Sequence, residues 1–143
     1  MSVVLFHAQQ VQMKYFPASG APSDLLVLGQ TGVDLFFVIS GFVAFSTGTS
    51  FGTYAIMIPI VIPMAIQFGG GEVGTLTVLS FAAVGGGGVF GDHCSPLSDT
   101  TVLSSLGGAC DHIDHTRTQL PYAMTVAAVV CVVYLALGFS VAG

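Results

Sequence analysis

The sequence predicts an all-α membrane protein. About three to five transmembrane or re-entrant helices are expected, including a discontinuous helix broken near residues 85–98, together forming part of a transporter repeat. Composition, the length of the apolar runs and one polar interruption carry that prediction. Only 6% of the 143 residues are charged and 53% are hydrophobic, whereas an average soluble domain is about 25% charged. The apolar runs approach the roughly 20 residues a helix needs to cross a bilayer. Gly85–Thr101, GGGGVFGDHCSPLSDTT, sits between two such runs. Irregular, acid-bearing backbone at membrane depth is tolerated only where it lines a protein-enclosed or watery cavity. Period-2 alternation, the mark of a membrane barrel, is missing.

Charge excludes further classes. With Lys+Arg 2 and Asp+Glu 7, the net charge is -5, and a nucleic-acid binder needs a basic footprint. Lys14 and Arg117 are too few to set orientation by positive loops. The three cysteines make no disulfide framework, and Cys131, in an apolar run, reads as a packing residue. Met1–Ala8 is short and lacks a basic lead-in, so no cleavable signal peptide is expected.

Taken in order, Ser2–Ala8 reads as the tail of a membrane helix and Gln9–Ser23 as a polar loop. Leu25–Phe45 is long enough to span and carries Asp34 in its middle. That aspartate, close to Gly32, would cap a helical turn. Thr47–Gly52 is small and hydroxyl-rich, a chain reversal or unwound tip. Phe51–Phe68 is an apolar helix that Pro59 and Pro63 should bend, and Gly69–Gly71 is a turn. Val73–Val84 begins a helix that the glycines at 85–88 should break, at about 1 kcal/mol each relative to alanine. Ser95-Pro96 then supplies a cap and a first-turn proline for a half-helix to about Leu106. Asp111–Gln119 is a hydrophilic connection, and Pro121–Val141 a last span.

Two half-helices meeting at depth leave carbonyls and N–H groups unpaired. Asp92 and Asp99 add hard oxygen ligands, and Ser95, Ser98, Thr100 and Thr101 add neutral ones, a set suited to a small hard cation. Burial favours the neutral acid and a bound cation favours the carboxylate. Proton and cation would therefore compete for one site.

Other patterns admit other readings. His93, Cys94, Cys110, Asp111, His112, Asp114 and His115 are zinc-type ligands without a tight spacing. A solvated interfacial loop is the plainer account of them, and His112 and His115 are also of the type that senses pH. Gly48, Ser50 and Gly52 match the nucleophile-elbow pattern but lack its strand and partners. Gly86, Gly88 and Gly91 match a dinucleotide fingerprint without a βαβ unit. Tyr54, Tyr122 and Tyr134 suit interfacial or packing positions.

GDHCSPLSDTTVLSS, followed by CDHIDHTRTQLPYA, resembles the signature of the NhaC-type sodium/proton antiporter family, and TGTSFGTYAIMIPIVIPMA resembles the stretch before it. The resemblance covers residues 46–143. It implies a multi-pass carrier in the cytoplasmic membrane of a prokaryote, exchanging Na⁺ for H⁺ through inverted repeats with interrupted helices. Asp92, Ser95, Ser98, Asp99 and Thr100 then become ion-binding residues, with Na⁺ at Asp92 and Asp99, and Thr49 and Ser50 a facing tip. Members of that family are several times longer, so an incomplete piece, inactive by itself, is expected. VVLFHAQ and GVDLFFVISGFV, in residues 1–45, resemble instead the acyltransferase-3 membrane family, which would make His7 catalytic, with Asp34 as a second candidate. That family's later arginine-rich segment has no counterpart here, so a transporter rather than an enzyme is expected, fused near Val43–Thr47. The expected partners are the lipid bilayer, Na⁺ and H⁺, with a homo-oligomer compatible, and no cofactor or nucleic acid.

Overall fold

The computed structural model describes residues 23–69 and 71–142, with side chains for 32–69 and 71–137. His7 and the expected short helix and loop before Ser23 lie outside the described residues. Within them the chain is helical throughout, with α1 Ser23–Thr47, α2 Ser50–Phe68, α3 Thr75–Cys94, α4 Asp99–Gly107 and α5 His112–Ala142, and no strand. Three of these, Ser50–Phe68, Thr75–Cys94 and the His112–Leu137 part of α5, are long and apolar enough to cross a membrane, and the Gly32–Thr47 part of α1 is a shorter apolar helix. Phe42, Phe51, Tyr122 and Val132 turn outward, as side chains facing lipid do. The protein is a multi-pass membrane protein.

The reversal expected at Thr47–Gly52 is a tight turn. Gly48 takes φ 68, the left-handed conformation that ends helices and that glycine adopts without a Cβ clash. Its N–H closes on the Ala44 carbonyl at 2.8 Å. In α2 the buried residues Thr53, Met57, Val61 and Ala65 recur every fourth position, forming one stripe toward the core. Pro59 and Pro63 lie inside the helix but off that stripe.

The expected break at Gly85–Gly88 does not occur, because α3 runs unbroken through all four glycines to Cys94. Breaking a helix in hydrocarbon strands backbone groups at several kcal/mol each, which outweighs the propensity cost of about 1 kcal/mol per glycine. Gly87 and Gly88 serve packing instead, as does Gly91 beyond them. A Cβ at Gly87 would run into the Phe37 carbonyl, one at Gly91 into the Gly41 carbonyl, and one at Gly88 into the Tyr54 ring. Backbones of α1 and α3 thus lie against each other, as small residues allow in membranes. Phe37 meets Gly87, Gly41 meets Gly91 and Phe45 meets Ser95. Both numbers rise together, so α1 and α3 run parallel. Tyr54 of α2 packs on Gly88 and donates to the Gly85 carbonyl at 3.1 Å. Its role is packing against glycine.

The last span also starts earlier than the apolar pattern implies. Asp111 Oδ1 accepts from the N–H groups of Ile113 at 2.9 Å and Asp114 at 3.2 Å, which caps α5. The hydrophilic segment is therefore the first turns of the helix, with Pro121 inside it. Asp34 is likewise interior to α1 and caps nothing. Val33, Phe37, Val61, Val84 and Ala127 meet in a core drawn from α1, α2, α3 and α5.

Candidate ion site at the helix interruption

The discontinuity lies at Ser95–Ser98, between α3 and α4. Ser95, rather than capping a half-helix, takes extended backbone (φ -73, ψ 129) after Cys94. Fully buried, its hydroxyl donates to the Phe45 carbonyl at 2.7 Å and accepts the Leu97 N–H at 3.2 Å. The Phe45 carbonyl belongs to the last turn of α1, where no intrahelical partner remains. That commitment moves the start of the next helix downstream: Ser98 occupies the N-cap position and Asp99 the first turn of α4.

Two further ties hold the loop. Thr101 donates to the His93 carbonyl at 3.3 Å. His112, at the start of α5, bonds through Nε2 to the Pro96 carbonyl at 2.8 Å and through Nδ1 to Ser105 Oγ at 3.2 Å. Sequence reasoning missed Ser105 and the structural use of His112. Neither was signalled in the sequence, because both bonds join α5 to residues of a different element.

Inside this frame the predicted residues connect. Ser98 Oγ donates to Asp92 Oδ1 at 2.7 Å and lies 2.7 Å from Thr100 Oγ1. The Ser98 hydroxyl has one proton, already given to Asp92, so Thr100 is the donor in the second bond. Thr100 N–H in turn donates to Asp99 Oδ1 at 2.9 Å. Asp92, Ser98, Thr100 and Asp99 thus form one hydrogen-bonded chain, with Ser98 buried and Asp99 exposed. At the facing tip Gly48 lies against Leu97 of the loop, and Thr49 and Ser50 open α2 immediately beyond it. The C-termini of α1 and α3 and the N-termini of α2 and α4 therefore gather around the loop. Helix C-termini favour cations.

Among the described residues, no three His, Cys, Asp or Glu side chains group closely enough to hold a metal ion, so the zinc alternative has no support. Cys94, Cys110 and Cys131 are free thiols. Gly48, Ser50 and Gly52 sit in a helix–turn–helix rather than on a strand-to-helix elbow, and Gly86, Gly88 and Gly91 are helical packing positions.

A multi-pass helical protein with an oxygen-lined interruption, where four helix ends converge, has the architecture of secondary transporters. The chain belongs to the Na⁺/H⁺ antiporter family, whose model matches residues 30–139. It is similar to an uncharacterized protein of Haemophilus influenzae, 50% identical over 109 residues, which cover 76% of this chain and 20% of that one. It is also similar to the malate-2H⁺/Na⁺-lactate antiporter of Bacillus subtilis, 30% identical over 106 residues, covering 74% and 22%. The chain thus spans about a fifth of the length of these curated relatives. No solved structure matches. The family is one of transporters rather than enzymes. Its match begins at residue 30 and continues through Val43–Thr47, so residues 30–45 fall within the antiporter match and the acyltransferase fusion is not supported.

Proposed function

We propose that the protein is part of a secondary active transporter of a prokaryotic cytoplasmic membrane that exchanges Na⁺ for H⁺. The cation and the proton take turns at the interruption. The observation that carries this reading is the hydrogen-bonded chain Asp92–Ser98–Thr100–Asp99 beside the ends of α1 and α3. Carboxylate and hydroxyl oxygens suit a hard cation. Ser95 keeps the loop in place and leaves Ser98, Thr100 and the acids to face the ion. The ion gradient drives the exchange, so no cofactor is required.

Na⁺-driven proton movement into vesicles bearing the whole transporter of which this chain is proposed to be part, compared with Asp92→Asn and Asp99→Asn, tests the assignment. Loss of exchange in either variant supports it, and unchanged exchange in both removes it. A second reading adds a small carboxylate as co-exchanged solute, favoured by the similarity to a malate/lactate antiporter. The N-cap residue of α2 makes no side-chain capping bond, which leaves helix N-terminal N–H groups of the kind that bind anions. Exchange that requires malate or lactate selects this version.

A further inference from the structure

His112 does more than join α5 to the interruption, because the geometry of its bonds fixes its protons. A carbonyl only accepts, so the 2.8 Å bond to the Pro96 carbonyl requires a proton on Nε2. Ser105 is buried, and its hydroxyl lies 2.8 Å from the Val102 carbonyl and 3.2 Å from His112 Nδ1. The hydroxyl has one proton, and the Val102 carbonyl, which cannot donate, takes it. Nδ1 is then the donor to Ser105 Oγ. With all three bonds made, both ring nitrogens carry protons, and such a ring is the imidazolium cation. A neutral ring gives up one bond whichever nitrogen keeps the proton. If Nε2 keeps it, either Ser105 turns to Nδ1 and leaves Val102, or two lone pairs face each other across 3.2 Å. If Nδ1 keeps it, the Nε2 lone pair faces the Pro96 carbonyl at 2.8 Å.

We propose that His112 is a positioning residue whose second ring proton works as a latch. The imidazolium ties the Pro96 loop to α4 and α5, and its deprotonation loosens the loop that carries Ser98. The proton count stands on His112 alone, whereas the effect on a cation rests on the proposed ion site. The loop supplies the leverage. Ser95 is fixed to the Phe45 carbonyl at 2.7 Å, and Ser98 donates to Asp92 at 2.7 Å. Pro96 lies between them and is the point His112 holds. Losing a bond there widens the range of positions open to the Ser98 hydroxyl. In the step itself one ring N–H bond breaks and the proton passes to water; nothing is oxidised or reduced.

Residues 95–98 carry no titratable side chain. α4 carries Asp99, exposed in its first turn. The connection from α4 to α5 carries Cys110, whose Sγ donates to the Ser105 carbonyl at 3.6 Å, and Asp111, whose Oδ1 accepts from the Ile113 and Asp114 amides. Near its start α5 carries Asp114, His115 and Arg117, and α3 ends with Asp92, His93 and Cys94. None of these is hydrogen-bonded to the ring, whose partners are the uncharged Ser105 hydroxyl and Pro96 carbonyl. A cation alone is disfavoured at a helix N-terminus; Asp111 and Asp114, beside His112 in the chain, offset its charge.

Nitrogen-15 NMR of histidine-labelled protein in lipid vesicles, from about pH 4 to about pH 9, tests the proton count, with His112→Gln identifying the signals. The expected result is a proton on both ring nitrogens of His112 at the acid end and the loss of one as pH rises. In Ser105→Ala that loss should move toward acid by about one pH unit, because the Ser105 oxygen accepts from Nδ1 only when the ring is charged. His93 and His115 should titrate in Ser105→Ala as in wild type, which reports an intact fold. A His112 ring neutral across the whole range overturns the latch, and so does a titration that Ser105→Ala leaves in place. In the whole transporter, with NaCl as the probe, half-saturating Na⁺ in Ser105→Ala should exceed the wild-type value by up to about fivefold at the acid end. The ratio should approach one at the alkaline end, where the wild type has also lost a bond. A ratio constant with pH is what a merely structural Ser105 would give, and it overturns the coupling to the cation. If the wild type showed no response to Na⁺, the ion-site reading would fail, yet the His112 signals would still decide the latch.

Discussion

Substituting Gly91 by alanine tests the packing of α1 on α3 directly. The added methyl would point at the Gly41 carbonyl, with the Ala44 Cβ 2.8 Å away, and real Cβ atoms essentially never approach another atom within 3.0 Å. Both obstacles belong to α1, one of them backbone, so no side chain can swing aside. The helices must part by about 1 Å, and a gap of that size forfeits a quarter to a half of each dispersion contact it opens. Overpacking of this kind costs about 1–3 kcal/mol, set against a gain of about 1 kcal/mol from replacing a helical glycine by alanine. The net expectation is a loss of up to about 2 kcal/mol, greater if the whole seam opens. Gly85 is the control, because a Cβ there meets nothing within 4 Å. Gly85→Ala should therefore gain up to about 1 kcal/mol of stability. Equilibrium unfolding in mixed detergent micelles measures both. Gly91→Ala as stable as Gly85→Ala would refute the close-packed seam and restore the glycines as a loosened stretch.

Ser95→Ala should cost about 1 kcal/mol, since it removes the 2.7 Å bond from the buried Ser95 hydroxyl to the Phe45 carbonyl; the same unfolding assay reads it, and a neutral result would mean the loop is not anchored to α1. Asp111→Ala should cost about 0.5–2 kcal/mol by removing the cap of α5. Hydrogen exchange at the Ile113 and Asp114 amides should accelerate in that variant while exchange in α3 is unchanged. His112→Ala removes both the Pro96 and the Ser105 bonds. It should raise the Na⁺ concentration for half-maximal exchange more than it lowers the maximal rate, a split measurable in the vesicle assay.

Composition and patterning determined much of this protein. So few charges and such long apolar runs leave a helical membrane chain as the outcome, and the Thr47–Gly52 reversal and Gly69–Gly71 turn follow from glycine's access to left-handed backbone, taken by Gly48 and Gly71. The polar residues of 92–100 were legible as a group because acids, hydroxyls and a proline between two spans have few other uses at membrane depth. Tertiary structure decided where the helix stops. Local propensity assigned the break to Gly85–Gly88, yet within that run Gly87 lies against the Phe37 carbonyl of α1 and Gly88 against Tyr54, and hydrocarbon penalises a broken ladder more than it penalises glycine. It also decided which serine caps what: Ser95 is drawn to a carbonyl fifty residues away in sequence, so the next helix begins at Asp99. Neither fact is local. Each depends on a backbone from another helix arriving within contact distance, which no window of the sequence contains.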